Sequence, residues 1–145
     1  MMDYAQLIER AIEARERAYA PYSNFYVGAA LLAEDGQVFS GCNIENSGFS
    51  GTNCAERTAI FKAVSEGVMR FTAIAVVGGV KGPLTSFCAP CGVCRQVMAE
   101  FCSPTDFTVI LGITPDRYQT YKLEELLPLV QFPEGNPGSD FFTIE

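Results

Sequence analysis

The sequence predicts an α/β fold with three layers, α-β-α, built around one mixed sheet of five strands whose last two strands are antiparallel. Three observations carry this. Hydrophobic patterns of helical and extended period follow one another in the order α-β-β-α-β-α-β, with a further strand and a short helix at the end. Residues 71–77 and 107–113 are continuous apolar runs of the kind found in strands covered on both faces. The connection after the second run, Thr114-Pro115-Asp116, is too brief for a parallel crossover, so the strand over 117–122 must turn back beside it.

Each element has its own signal. Over residues 3–19, Tyr4, Leu7, Ile8, Ala11, Ile12, Arg15, Ala18 and Tyr19 fall at helical spacing, and Pro21 stops the helix. Phe25–Ala33 and residues 37–44 are extended patterns joined at Asp35-Gly36, a hairpin turn pair. Thr52 or Asn53 can cap a helix that runs to Gly67, which places Cys54 and Glu56 in its first turn. After the strand over 71–77, residues 78–89 read as a loop, and Pro90 opens a helix through about residue 101. A short helix over 123–127 ends at Pro128, and about 129–145 form an irregular tail rich in Pro and Gly. The chain, 1–145, reads as a single domain without repeats or low-complexity segments.

Composition narrows the partners. Acidic residues exceed basic ones by seven, and the basic residues form no patch, so nucleic acid is not expected. No apolar run approaches membrane-spanning length and the N-terminus lacks a signal-peptide pattern, so the expectation is no membrane and a cytoplasmic protein. Eleven Phe and six Tyr are more apolar surface than a small monomer hides easily, a hint of an oligomer. Six cysteines without a secretion signal point to metal ligands or buried thiols, not to disulfides.

Cys91-Gly92-Val93-Cys94 puts two sulfurs on the first turn of one helix, and Cys54-Ala55-Glu56 puts a sulfur and an acid at the start of another. An isolated CxxC is equally a buried pair or a redox dithiol. Taken with Cys54 it suggests three metal ligands and an open fourth position, with Glu56 as a proton carrier beside the metal. A closed structural zinc module with Cys88 as fourth ligand is the alternative. Cys42, Cys88 and Cys102 otherwise read as small buried hydrophobes.

The order C-x-E followed by P-C-x-x-C is the signature of zinc nucleobase deaminases that hold the metal with three cysteines. With Ala20-Pro21-Tyr22-Ser23, Val27-Gly28-Ala29-Ala30-Leu31-Leu32, Gly41-Cys42-Asn43-Ile44-Glu45-Asn46, Asn53-Cys54-Ala55-Glu56-Arg57-Thr58-Ala59 and Pro90-Cys91-Gly92-Val93-Cys94-Arg95-Gln96, the chain resembles the short homotetrameric cytidine deaminases. The likeness runs from about residue 4 to residue 128. It implies a cytidine deaminase-like fold, one Zn²⁺ per chain on Cys54, Cys91 and Cys94, and Glu56 as catalytic proton shuttle. It also implies a nucleoside substrate, with Asn43 and Glu45 on the ribose, Phe25 stacked on the pyrimidine, the Ala55 main chain against the base, and pockets completed by neighbouring subunits. Phe132 corresponds to the family's C-terminal pocket Phe but sits about one residue late. Ala89, Val93 and Phe49 depart from the usual Ser, Ala and Tyr.

The implied reaction is hydrolysis of cytidine and 2'-deoxycytidine to uridine and 2'-deoxyuridine plus ammonia in pyrimidine salvage, with zinc-activated hydroxide attacking C4. Relatives that act on a nucleoside antibiotic or on nucleic acid share the zinc core, and the Asn43-Ile44-Glu45 segment favours free nucleosides. Three thiolates around Zn²⁺ leave a net charge of about −1, which makes bound water a poorer acid. Arg57, three residues after Cys54, is placed to compensate that charge. An ordinary ion pair is the other reading of Arg57, and a polar strand end that of Asn43 and Glu45.

Overall fold

The computed structural model describes residues 2–129. Helix α1 (Tyr4–Arg15) begins at Asp3, whose carboxylate accepts from the Gln6 amide while the Gln6 side chain accepts from the Asp3 amide. It ends four residues before the periodicity does. The amides of Glu16, Arg17 and Ala18 bond three residues back, tightening the chain out of the helix. Tyr19 then exchanges main-chain hydrogen bonds with Asn43 and Glu45, a long-range pairing that overrides local helical spacing.

Strands β1 (Phe25–Ala33) and β2 (Val38–Cys42) form the expected hairpin, with Gly36 at a φ of 91° in the turn. Helix α2 (Ala55–Ser65) leads through Gly67, at a φ of 87°, to β3 (Phe71–Val80). β3 outruns its apolar stretch because Gly78, Gly79 and Val80 keep pairing with Val27, Tyr26 and Phe25. Helix α3 (Gly92–Phe101) crosses to β4 (Thr108–Thr114), β5 (Arg117–Lys122) follows, and α4 (Leu123–Leu126) closes the described chain.

The sheet runs β2-β1-β3-β4-β5, with β3 and β4 parallel and β4 and β5 antiparallel, as expected. Alternation sorts its side chains into two cores. Leu7, Ile8 and Ala11 of α1 cover Ala30, Leu32, Ala75, Val77 and Ile110 on one face. On the other, Ala59 and Ile60 of α2 and Met98 and Ala99 of α3 cover Ala29, Leu31, Ile74, Val76 and Val109. Close approach is built in by glycine on both faces. A Cβ on Gly28 would lie 2.0 Å from the Ala11 carbonyl oxygen, and one on Gly41 would lie 2.4 Å from that of Ala55. Among the described residues no helix is long and apolar enough to cross a membrane.

Candidate metal centre and active site

Two helix N-termini meet, and the residues at the meeting point are cysteines. Cys54 is the N-cap of α2 and Cys91 that of α3, both in extended backbone, at φ −77°, ψ 158° and φ −71°, ψ 169°. Thr52 and Asn53 are therefore not the cap of α2, and Pro90 precedes α3 without opening it. Neither cysteine makes a side-chain cap hydrogen bond, and both sulfurs point into a shared cluster with buried Cys94. Asn53 instead donates to Thr58 Oγ1, whose hydroxyl donates to the Cys54 carbonyl.

The three Sγ atoms lie within 4.8 Å of one another, with Cys54 to Cys91 at 3.7 Å and Cys91 to Cys94 at 3.6 Å. Thiolates bound to zinc at about 2.3 Å in a tetrahedron sit about 3.8 Å apart, so the triad fits Zn²⁺ without rearrangement. Among the described residues no fourth His, Cys, Asp or Glu joins the group. Cys88 packs against β3, its Sγ 2.8 Å from where a Cβ on Gly78 would be, which disfavours the closed four-cysteine module.

The electrostatics suit a metal. Cys54 is held well below the ordinary thiol range by the Cys94 thiol first and, against the cost of burial, by Arg57 and Cys91. Cys94 is pushed up in turn by that pairing with Cys54 and by its burial. Arg57 Nη2 donates to Cys54 Sγ at 3.2 Å, so the side chain proposed to compensate the thiolate charge touches one of them. Burial opposes the Arg57 charge, but the Cys54 and Cys94 sulfurs more than restore it. The partial positive charge of two helix N-termini acts in the same sense.

Glu56, the second residue of α2, is 3% exposed, and its Oε1 has no hydrogen-bond partner. Burial chiefly pushes its carboxyl up to about 7, and the neighbouring Cys54 charge adds to this while Cys94 and Arg57 partly offset it. A buried acid with an unfilled oxygen beside an open thiolate triad is equipped to exchange protons near neutral pH.

Phe25, Asn43 and Glu45 gather at one strand end. Phe25, the first residue of β1, is 39% exposed, so it is not plain strand core. Asn43 grips the strand just after it, accepting from the Val27 amide at 2.9 Å and donating to the Phe25 carbonyl at 2.8 Å. Glu45 accepts from the amides of Tyr22 and Ser23 and from the Ser23 hydroxyl, which holds its carboxyl below the usual range, Ser23's hydrogen bond being the main cause. Ser23 Oγ in turn accepts from the Phe25 amide. Ala55 is fully buried at the first position of α2, and Phe132 lies outside the described residues. Sequence reasoning missed Ser23 and, in α3, Arg95, which donates to the carbonyls of Pro90 and Leu126 at 2.8 Å each. Those partners are identifiable only from the fold.

A three-layer α-β-α sandwich that aims three thiolates and one buried acid at a common point is a metal-dependent hydrolase of the deaminase class. Residues 1–110 match the model of the cytidine and deoxycytidylate deaminase zinc-binding region. The chain is 54% identical over 127 residues to a cytidine deaminase of Sporosarcina psychrophila, covering 88% of this chain and 90% of that protein. It is 56% identical over 127 residues to one from Halalkalibacterium halodurans, covering 88% and 92%. A crystal structure of cytidine deaminase from Burkholderia pseudomallei superimposes with a TM-score of 0.79 at 50% identity, covering 90% of this chain and all of that one. The chain belongs to the cytidine deaminase family and is a zinc-dependent hydrolase.

Proposed function

We propose that this chain, acting as one domain, hydrolyses cytidine and 2'-deoxycytidine to uridine and 2'-deoxyuridine plus ammonia in pyrimidine salvage. The observation that carries the mechanism is the buried, unpartnered Oε1 of Glu56 beside the Cys54-Cys91-Cys94 triad. When bound, Zn²⁺ supplies a Lewis acid that makes hydroxide available near neutral pH. Glu56 takes the proton that water gives up and delivers it to ring N3 as the new C4–O bond forms; it then takes the proton of the C4 hydroxyl and hands it to the amine, so that the C4–N bond breaks as the C4 carbonyl forms. The oxygen of the water thus becomes the C4 carbonyl, one of its protons stays on N3 and the other leaves with ammonia. Burial suits Glu56 to this work, because a carboxyl poised near 7 both accepts and returns a proton.

Phe25 stacks on the pyrimidine, the Ala55 amide, one of the four that a helix leaves without an internal acceptor, faces the base, and Asn43 and Glu45 take the ribose hydroxyls. Arg57 offsets the thiolate charge. Exposed Tyr22, Phe25 and Phe49 support a homotetramer whose pockets are completed by neighbours. Six free thiols support a cytoplasmic enzyme. The test is absorbance-monitored deamination of cytidine and deoxycytidine, with zinc per chain measured on the same sample. Glu56→Gln is expected to keep one zinc and lose at least about 100-fold in kcat. Zinc bound by the native chain without turnover of either nucleoside overturns the reading.

A further inference from the structure

Of the acidic and basic side chains among the described residues, only Glu56 and Arg15 are buried. Glu56 belongs to the active site. Arg15, the last residue of α1, spends its guanidinium on main-chain carbonyls: Nε donates to Tyr26 at 3.0 Å, Nη1 to Gly82 at 3.2 Å, and Nη2 to Gly79 at 3.1 Å and Val80 at 2.5 Å. These carbonyls mark where the sheet ladder stops. Phe25 pairs with Val80 and Tyr26 with Gly79, and beyond them neither strand continues. A charged fork with several donors in fixed geometry satisfies a converging set of carbonyls that no strand can reach.

We propose that Arg15 is a positioning residue for the substrate, holding the end of β1 so that Phe25 stands where the pyrimidine stacks. This rests on the stacking role proposed above for Phe25. The guanidinium grips the carbonyl of the residue after Phe25 and those of its strand partners, while Asn43 holds Phe25 from the β2 side and Ser23 holds its amide. Arg15 completes this cage through the Tyr26, Gly79 and Val80 carbonyls. The metal ligands are anchored separately, since Arg95 fixes the Pro90 carbonyl next to Cys91 and Gly41 seats the first turn of α2 on β2. Loss of the clamp therefore reaches substrate binding and leaves the metal in place.

The experiment compares native enzyme, Arg15→Lys, Arg15→Met and Arg15→Ala in full-length, zinc-loaded protein, reading zinc content, thermal unfolding, kcat and KM for cytidine. Misplacement of a stacking group raises KM, so Arg15→Met is expected to raise KM about 10-fold with kcat within about 2-fold and one zinc retained. Arg15→Lys, which keeps the charge but not the fork, is expected to fall between. A cleft of about 630 Å³ lined by Arg15, Tyr19, Tyr26, Lys81 and Gly82 opens beside the guanidinium, so millimolar guanidinium chloride should lower the KM of Arg15→Ala where sodium chloride does not. If Arg15→Met does not fold, Arg15→Lys and the guanidinium response decide. KM unchanged in a folded variant, or kcat and zinc falling together with stability, overturns the proposal. Absence of turnover in the native enzyme overturns the proposed function instead, and is distinguished by that control.

Discussion

Arg57 and Cys88 sit near the same cluster with opposite consequences. Arg57 donates to Cys54 Sγ at 3.2 Å, so Arg57→Gln removes a charged donor from a thiolate and is expected to weaken zinc binding about 10-fold, read by chelator competition, and to slow turnover. An unchanged zinc affinity would restore the ordinary ion-pair reading. Cys88 is pushed up to about 11, by burial chiefly and by the charges of Glu56 and Cys54. A raised thiol pKa keeps the proton on, so its alkylation at pH 8 should lag an ordinary thiol and rise only as pH climbs toward that value. Peptide mapping after iodoacetamide should show Cys54 and Cys91 protected in the zinc protein and labelled after chelation, with Cys88 slow in both. The cysteine cluster and the neighbouring Glu56 and Arg57 were legible in the sequence because spacing within a turn places each group beside its own cysteine and the family signature joins Cys54 to the turn of Cys91 and Cys94. Arg15 was not, since three of its four acceptors lie 64 to 67 residues away, although a cation on the apolar stripe of α1 was the visible sign.

Among the elements, α2 shows how far local pattern reaches. Its apolar positions and its Gly67 stop were readable, but its start was not, because Asn53 has the chemistry of a cap and spends it on Thr58. Cys54 takes the cap position with its sulfur turned to the cluster. The seat of that helix is Gly41, and of α1 Gly28, which gives a paired prediction. Both Gly41→Ala and Gly28→Ala force a helix off the sheet and should cost about 1–3 kcal/mol in chemical denaturation. Only Gly41→Ala moves the turn that carries Cys54 and Glu56, so only it should also weaken zinc binding.

The order of elements, the antiparallel last pair and the layers were all readable at the scale of the molecule, because hydrophobic period and connection length leave few sheet topologies. Which surfaces the proposed tetramer would use was not, since exposure is a property of the folded chain. Phe49, 94% exposed, and Tyr22, 61% exposed, are the test of the proposed tetramer. Sedimentation of the native chain should give four copies, and Phe49→Ser should shift the population toward smaller species at equal concentration.

The thiolate triad also has a meaning for the unfolded chain. Cys54 and Cys91 stand 37 residues apart, and a metal that binds both draws that span into a closed ring. By analogy with a covalent bridge of that length, closing the ring removes conformational freedom worth about 4 kcal/mol from the disordered state. The ion required for turnover is thus also a tether between two helices that contribute to one core, so a zinc-starved chain loses persistence along with activity.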